Sequence, residues 1–306
     1  MNKKFLQIAI ILTFVSCIYL FFLAFYNKKI SQDVSKHLTT ENTQSTPINK
    51  VLSIMVISDT HLNQDSFLQL KALVNKEQPQ LLVHLGDHTD FGDVSSLFLS
   101  KKYLDSLDYP YLTLAGDHDI AQSSTLNNFK QVFSIPNSMT IKDIKVGFLN
   151  NPFNYTPFSD SDFAQIITEL ENVDILLTSQ PIFVPKDNFF SYKFMGSLDN
   201  LSSLDMNQQK LLQKYNSQSL KIISKIRESK KPIIVISGDH HKSSSFKDPY
   251  NPLVSYHIVG ALSKNIYLGS KEYSQKALQS PRFSVLEVIK NETNLDFNIK
   301  EILIEN

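Results

Sequence analysis

Residues 51–61 read Val51-Leu52-Ser53-Ile54-Met55-Val56-Ile57-Ser58-Asp59-Thr60-His61, an apolar run closed by a carboxylate, a hydroxyl and an imidazole. An almost unbroken apolar run of this length reads as a strand buried on both faces. Successive side chains on a strand alternate, so a period of two would point Asp59 and His61 the same way. Hard oxygen beside borderline nitrogen suits Zn, Mn or Fe. D-x-H alone is a weak signal, and its weight comes from the rest of the chain.

Outward from this stretch, apolar runs at 80–85, 111–115, 144–149, 174–178 and 232–237 read as further strands. Amphipathic stretches at 66–76, 94–107, 125–133, 160–171 and 204–228 read as helices between them. Such alternation predicts crossover units and a layered α/β sheet. After His241 only strands are expected, at 253–259, 282–289 and 295–304. In layered α/β folds the chemistry sits beyond the carboxyl ends of the strands. Five expected strand ends carry polar clusters: Asp59/His61, Gly86-Asp87-His88-Thr89-Asp90, Gly116-Asp117-His118-Asp119, Ser179-Gln180-Pro181 and Gly238-Asp239-His240-His241.

Composition narrows the function. The chain has 306 residues, 42% of them apolar, which suffices for one large domain or two small ones with a sizeable core. Its 30 basic and 30 acidic side chains cancel, which argues against a nucleic-acid partner, since that needs a basic surface. Cys17 is the single cysteine, so no intrachain disulfide can form.

After a four-residue tail, residues 5–26 form an uncharged run of roughly 33 Å as a helix, about one hydrocarbon core. A cleaved signal peptide would need a shorter apolar region and small residues before the cut. Phe14-Val15-Ser16-Cys17 faintly resembles a lipoprotein site, but the apolar run continues beyond it. We read a retained single-pass transmembrane anchor. The flanking lysines favour an extracytoplasmic domain, the positive excess lying slightly on the N-terminal side. Residues 27–50 read as a flexible polar tether, and 51–306 as the folded domain.

The five clusters together resemble the calcineurin-like metallophosphoesterase superfamily. Its pattern runs D-x-H, G-D-x-x-D, G-N-H-[D/E], a histidine before x-Pro, and G-H-x-H. The resemblance implies a four-layer αββα sandwich with two divalent metal ions (Mn, Mg, Fe or Zn) that hydrolyses phosphate mono- or diesters. Carried over, Asp59, His61 and His241 would hold the first metal and Asp87 would bridge. His118 would contact the substrate phosphoryl group, with Asp119 orienting it, and Asp90 would support the second loop from outside the metal shell.

Three positions depart from that pattern. Asp117 stands in place of the asparagine, Ser179 in place of the fourth-motif histidine, and Asp239 in place of the first histidine of the last motif. All belong to the second metal site, whose expected ligands become Asp87, Asp117 and Asp239. An anionic, all-oxygen shell favours a hard ion such as Mg, Mn or Ca over Zn. Without a cation, carboxylates at ~4 Å repel by about 4 kcal/mol per pair at an effective dielectric near 20. The reading is therefore a membrane-anchored phosphoesterase with an altered second metal site. Its rivals are a degenerate module of the same fold serving as a membrane-tethered scaffold, and a single-metal hydrolase.

Other residues invite plainer readings. His84 lies inside an apolar strand and reads as a core histidine, and His88 as structural or exposed. His240 adjoins the lost histidine and Gln180 offers an amide oxygen, so both are minor ligand candidates. The aromatic segment 185–203 suits a substrate groove, a membrane surface or its own small core.

Overall fold

The computed structural model describes residues 50–136, 138–152, 156–184, 205–263, 280–290 and 294–304. The expected span 5–26, nearly all of the tether and the aromatic segment 185–203 lie outside the described residues. Among the described residues no helix is long and apolar enough to cross a membrane.

The opening apolar run is β1 (Lys50–Ile57), and its last six residues are buried. A parallel unit follows: α1 (Gln64–Glu77), β2 (Leu81–His84), α2 (Val94–Asp105) and β3 (Tyr111–Thr113). Both helices begin where a side chain replaces the missing intrahelical acceptor. Asn63 accepts from the Ser66 N–H, and Asp93 accepts from the Ser96 N–H. α1 stops at Gln78, whose left-handed backbone (φ 44°) caps it. After a one-turn 3₁₀ helix at His118–Ile120 comes α3 (Asn127–Val132).

The second half repeats the alternation. It runs β4 (Met139–Ile141), β5 (Ile144–Leu149), α4 (Asp160–Glu169), β6 (Ile175–Thr178), α5 (Met206–Arg227) and β7 (Ile233–Ser237). β8 (Ser244–Lys247), β9 (Val254–Ile258), β10 (Arg282–Lys290) and β11 (Leu295–Leu303) complete it. α5 starts with a reciprocal capping box between Asp205 and Gln208.

The strands form two sheets, ordered β11-β10-β1-β2-β3 and β4-β5-β6-β7-β9-β8. β1, β2 and β3 are parallel, as are β5, β6, β7 and β9, so their carboxyl ends lie along one rim of each sheet. Every strand and helix expected between residues 51 and 304 is present, with ends shifted by a few residues. Two of the described strands escaped the sequence reading. β4 is three residues long and pairs with β5 through Lys142-Asp143, both with positive φ, as a two-residue hairpin requires. β8 is polar, Ser-Ser-Phe-Lys, and carries no apolar period.

Phe67, Leu70 and Val74 of α1 and Leu97 and Leu104 of α2 pack against Met55 and Ile57 of β1 and Leu82 of β2. Tyr215, Ile222 and Ile226 of α5 pack likewise on Leu176 and Val235 of the second sheet. Leu52, Ile54 and Val56 point away from α1 and are equally inaccessible. Between the opposite faces of the sheets, His257 of β9 bonds to Ser284 of β10 at 2.7 Å. Burial on both faces explains why these strands read as continuous apolar runs.

Candidate metal centre

The loops leaving the strand ends interlock through their main chains. Asp59 N–H donates to the Gly86 carbonyl and His61 N–H to the Asp87 carbonyl, while Leu262 N–H donates to Ser58 and Gly238 N–H to Ser179. Two glycines are forced by close approach. A Cβ on Gly116 would lie 2.0 Å from a carboxylate oxygen of Asp87, and one on Gly92 would lie 2.1 Å from the Asp119 carbonyl.

Strand alternation does not aim the site residues, contrary to the sequence argument. β1 ends at Ile57, and Asp59 and His61 both have left-handed backbones, with φ of 53° and 44°. Asp87, Asp239 and His241 share that conformation, with φ of 57°, 75° and 56°. A left-handed residue that is not glycine costs about 1–2 kcal/mol. Its recurrence at five such positions means tertiary contacts hold these side chains on tight turns.

Those turns bring Asp59, His61, Asp87 and His241 together, one ligand atom from each lying within 4.8 Å of all the others. Asp87, Asp117 and His118 form a second such group, and Asp87 belongs to both. His61, Asp90 and His118 form a third. Asp239 joins none of these groups. Its Oδ1 accepts from Gln180 Nε2 at 3.0 Å, and His240 Nε2 lies 3.7 Å from its Oδ2.

The donor set fits a divalent cation. Both carboxylate oxygens of Asp59 are buried and accept no hydrogen bond, and Nε2 of His61 is buried without a partner. His241 Nε2 stands 3.3 Å from Asp59 Oδ1, a spacing that two ligands of one ion can adopt. Burial and the adjacent Asp117 and Asp59 push the Asp87 carboxyl well above its ordinary range. Burial lowers the His61 imidazole, with Asp59 opposing, so His61 is held as a neutral base. A cation would satisfy the stranded lone pairs and relieve the repulsion among the acids.

Asp90 does more than the sequence reading gave it. Its Oδ1 is 2.8 Å from His61 Nδ1, which fixes the Nδ1–H tautomer and leaves the Nε2 lone pair facing the cluster. The Asp90 carbonyl accepts from His118 Nδ1 at 2.9 Å. One residue thus orients both imidazoles, and the contact that fixes His118 is this carbonyl rather than Asp119. The Asp119 carboxylate instead accepts from the Gly116, His88 and Thr89 N–H groups and the Thr89 hydroxyl, tying the second and third loops together. Burial raises that carboxyl to about 6, against the pull of the three N–H groups.

The bland readings of other histidines stand. His84 is fully buried, accepts from the Gly86 N–H at Nδ1 and so donates from Nε2 to Thr60. His88 stacks on His84 and Phe133, and burial lowers it to about 3. Arg282, a possible phosphate contact by charge alone, pairs with Glu301. The sequence reading missed Asn150, whose Oδ1 accepts from Ala115 N–H and Ser179 Oγ and so braces two site loops. Its place directly after β5 was the available signal.

The sequence profile of the calcineurin-like phosphoesterases matches residues 52–277. The chain belongs to this family. It is a hydrolase acting on phosphoric esters, and the family uses divalent metal ions, typically two. No curated protein sequence matches this phosphoesterase. Among solved structures, a purple acid phosphatase from yellow lupin (Lupinus luteus) seeds is similar at 13% identity and a TM-score of 0.51, over 83% of this chain and 52% of that one. A dimetal phosphatase from Danio rerio is 13% identical over 81% of this chain and 99% of its own, with a TM-score of 0.44. At such identities the likeness concerns the fold.

Proposed function

We propose that this chain is a membrane-anchored, metal-dependent phosphoesterase whose second metal site is more anionic than its family pattern, and which favours diesters. The observation that carries the catalytic part is the pair of donor groups sharing Asp87, with lone pairs of Asp59 and His61 buried and unbonded. Asp59, His61, Asp87 and His241 would hold one cation, and Asp87, Asp117 and a further oxygen donor the other. Asp239, bonded to Gln180 and close enough for its charge to act on Asp87, is the candidate for that further donor. When bound, such cations neutralise phosphoryl charge and lower the pKa of water toward neutrality.

The protein's own part is positioning and proton transfer. His118 Nδ1 must carry a proton, because a carbonyl only accepts, so its Nε2 is the atom left to face substrate. Acting as a general acid, His118 hands an Nε2 proton to the departing alkoxide and is left neutral, its Nδ1–H still held by the Asp90 carbonyl. Asp119 keeps the loop bearing His118 in register with the loop bearing Asp87. The acids at 117 and 239 add negative charge where a monoester dianion would sit, which favours a singly charged diester.

The test uses the full chain in detergent with Mn²⁺ and a generic phosphodiester. Turnover is expected, with loss of at least a hundredfold in Asp87→Asn. Turnover unchanged by that substitution moves the chemistry elsewhere, and a clear monoester preference refutes the charge reasoning. Two metal ions per chain support the two-site reading, one supports a single-metal hydrolase, and none supports the scaffold. The anchor rests on residues 5–26 alone. Recovery of the full chain in carbonate-washed membranes supports it, and recovery in the soluble fraction refutes it.

A further inference from the structure

Phe91 follows the residue that orients both site imidazoles, yet its side chain is 71% exposed. Its backbone is clamped from several sides. The peptide unit that supplies its nitrogen supplies the Asp90 carbonyl bonded to His118. Its own carbonyl accepts from Gln122 N–H at 2.9 Å. Gly92 N–H donates to Thr89 Oγ1, the Gly92 carbonyl accepts from Asn128 Nδ2, and the left-handed Gly92 (φ 68°) packs directly on the Asp119 backbone. The loop that holds His118 through the Asp90 carbonyl therefore also holds the Phe91 backbone in a fixed place.

The surroundings indicate the ring's use. Asp90 is half exposed while His61, which it holds, is buried, so the cluster meets solvent at Asp90, the residue directly before Phe91. The groups offered there are otherwise anionic or imidazole: Asp90, Asp117 and His118. Such a rim recognises a phosphoryl group through cations, and among the described residues of these loops Phe91 is the exposed large apolar side chain. We propose that Phe91 is a specificity-determining residue, a fixed apolar platform on which an aryl or other flat substituent of the phosphodiester packs. This rests on the phosphoesterase reading above and names the class of substituent the site selects.

The experiment holds the leaving group constant and varies the substituent that stays on phosphorus. The full chain with Mn²⁺ is given methyl p-nitrophenyl phosphate and phenyl p-nitrophenyl phosphate. Wild type is expected to favour the phenyl ester by about five- to tenfold in kcat/KM, the size of one aromatic contact. Phe91→Ala is expected to collapse that ratio toward one through KM, and Phe91→Tyr, which keeps the ring, to retain it. Thermal unfolding of both variants within a few degrees of wild type excludes misfolding as the cause. A ratio near one in wild type, or a ratio unchanged in Phe91→Ala, overturns the proposal.

A second readout needs no turnover. The chain contains no tryptophan, so Phe91→Trp installs the sole indole at the platform. Phenylphosphonate is expected to shift its emission where methylphosphonate does not. Should neither ester be hydrolysed, the catalytic reading fails while this titration still decides the platform: equal responses, or none, overturn it.

Discussion

In an Asp90→Ala variant, the Nδ1–H of His61 loses an acceptor at 2.8 Å. The Asp90 side chain is 51% exposed, and a pair of that kind contributes about 0–1 kcal/mol to folding. The His61 side chain, by contrast, is 2% exposed, and its Nε2 has no protein partner. Its tautomer therefore matters for metal binding far more than for folding. Loss of an outer-shell carboxylate on a ligating histidine costs typically 10- to 100-fold in metal affinity, about 1.4–2.7 kcal/mol. The main-chain carbonyl that holds His118 survives the substitution.

Calorimetric titration of the metal-free full chain with Mn²⁺ measures this directly. The dissociation constant is expected to rise 10- to 100-fold, with the unfolding midpoint of the metal-free protein nearly unmoved. Asp90→Asn should fall between, because an amide oxygen still accepts from Nδ1–H but carries no charge. Affinity within twofold of wild type in Asp90→Ala, alongside lost binding in Asp59→Asn, would refute the orientation of His61 through Asp90. A drop of many degrees in the unfolding midpoint would instead make Asp90 a folding residue.

Asp119→Asn is expected to lower stability by about 2–4 kcal/mol in denaturant unfolding. One of the two oxygens serving the Gly116, His88 and Thr89 donors becomes an NH₂ group that faces N–H donors, and each stranded group costs about 1–3 kcal/mol. The His257 ring, burial of which lowers it to about 4, gives a pH prediction. A depressed pKa contributes stability that is present above the unfolded value of 6.5 and lost as pH falls toward about 4. This amounts to on the order of 3 kcal/mol. His257→Asn should flatten the acid limb of a stability–pH curve measured by urea unfolding, and an unaltered slope would assign that limb to other groups. His88, lowered to about 3 by burial, acts in the same direction, and buried Asp119, raised to about 6, acts against them.

The apolar runs and the helical stripes between them specified the alternating architecture by themselves, because burial on both faces leaves a strand little choice but Val, Ile and Leu. β4 and β8 were illegible since one is three residues long and the other polar, and each gains its pairing from a neighbour rather than from its own pattern. The polar clusters after several strand ends were legible too, and the fold brings Asp59, His61, Asp87, Asp117, His118 and His241 of them into ligand-sized groups, while Asp239 stands outside these.

How those residues meet was not. Left-handed turns at Asp59, His61, Asp87, Asp239 and His241 depend on contacts between loops up to two hundred residues apart, such as Ser263 N–H on the Asp59 carbonyl. The exchange of expected duties between Asp90 and Asp119 arises for the same reason. Both are acids on neighbouring loops, and only the packing decides which one faces an imidazole and which one is enclosed by backbone N–H groups. Sequence fixes which atoms are present and which strands carry them; hydrogen bonding between distant loops fixes where the lone pairs point.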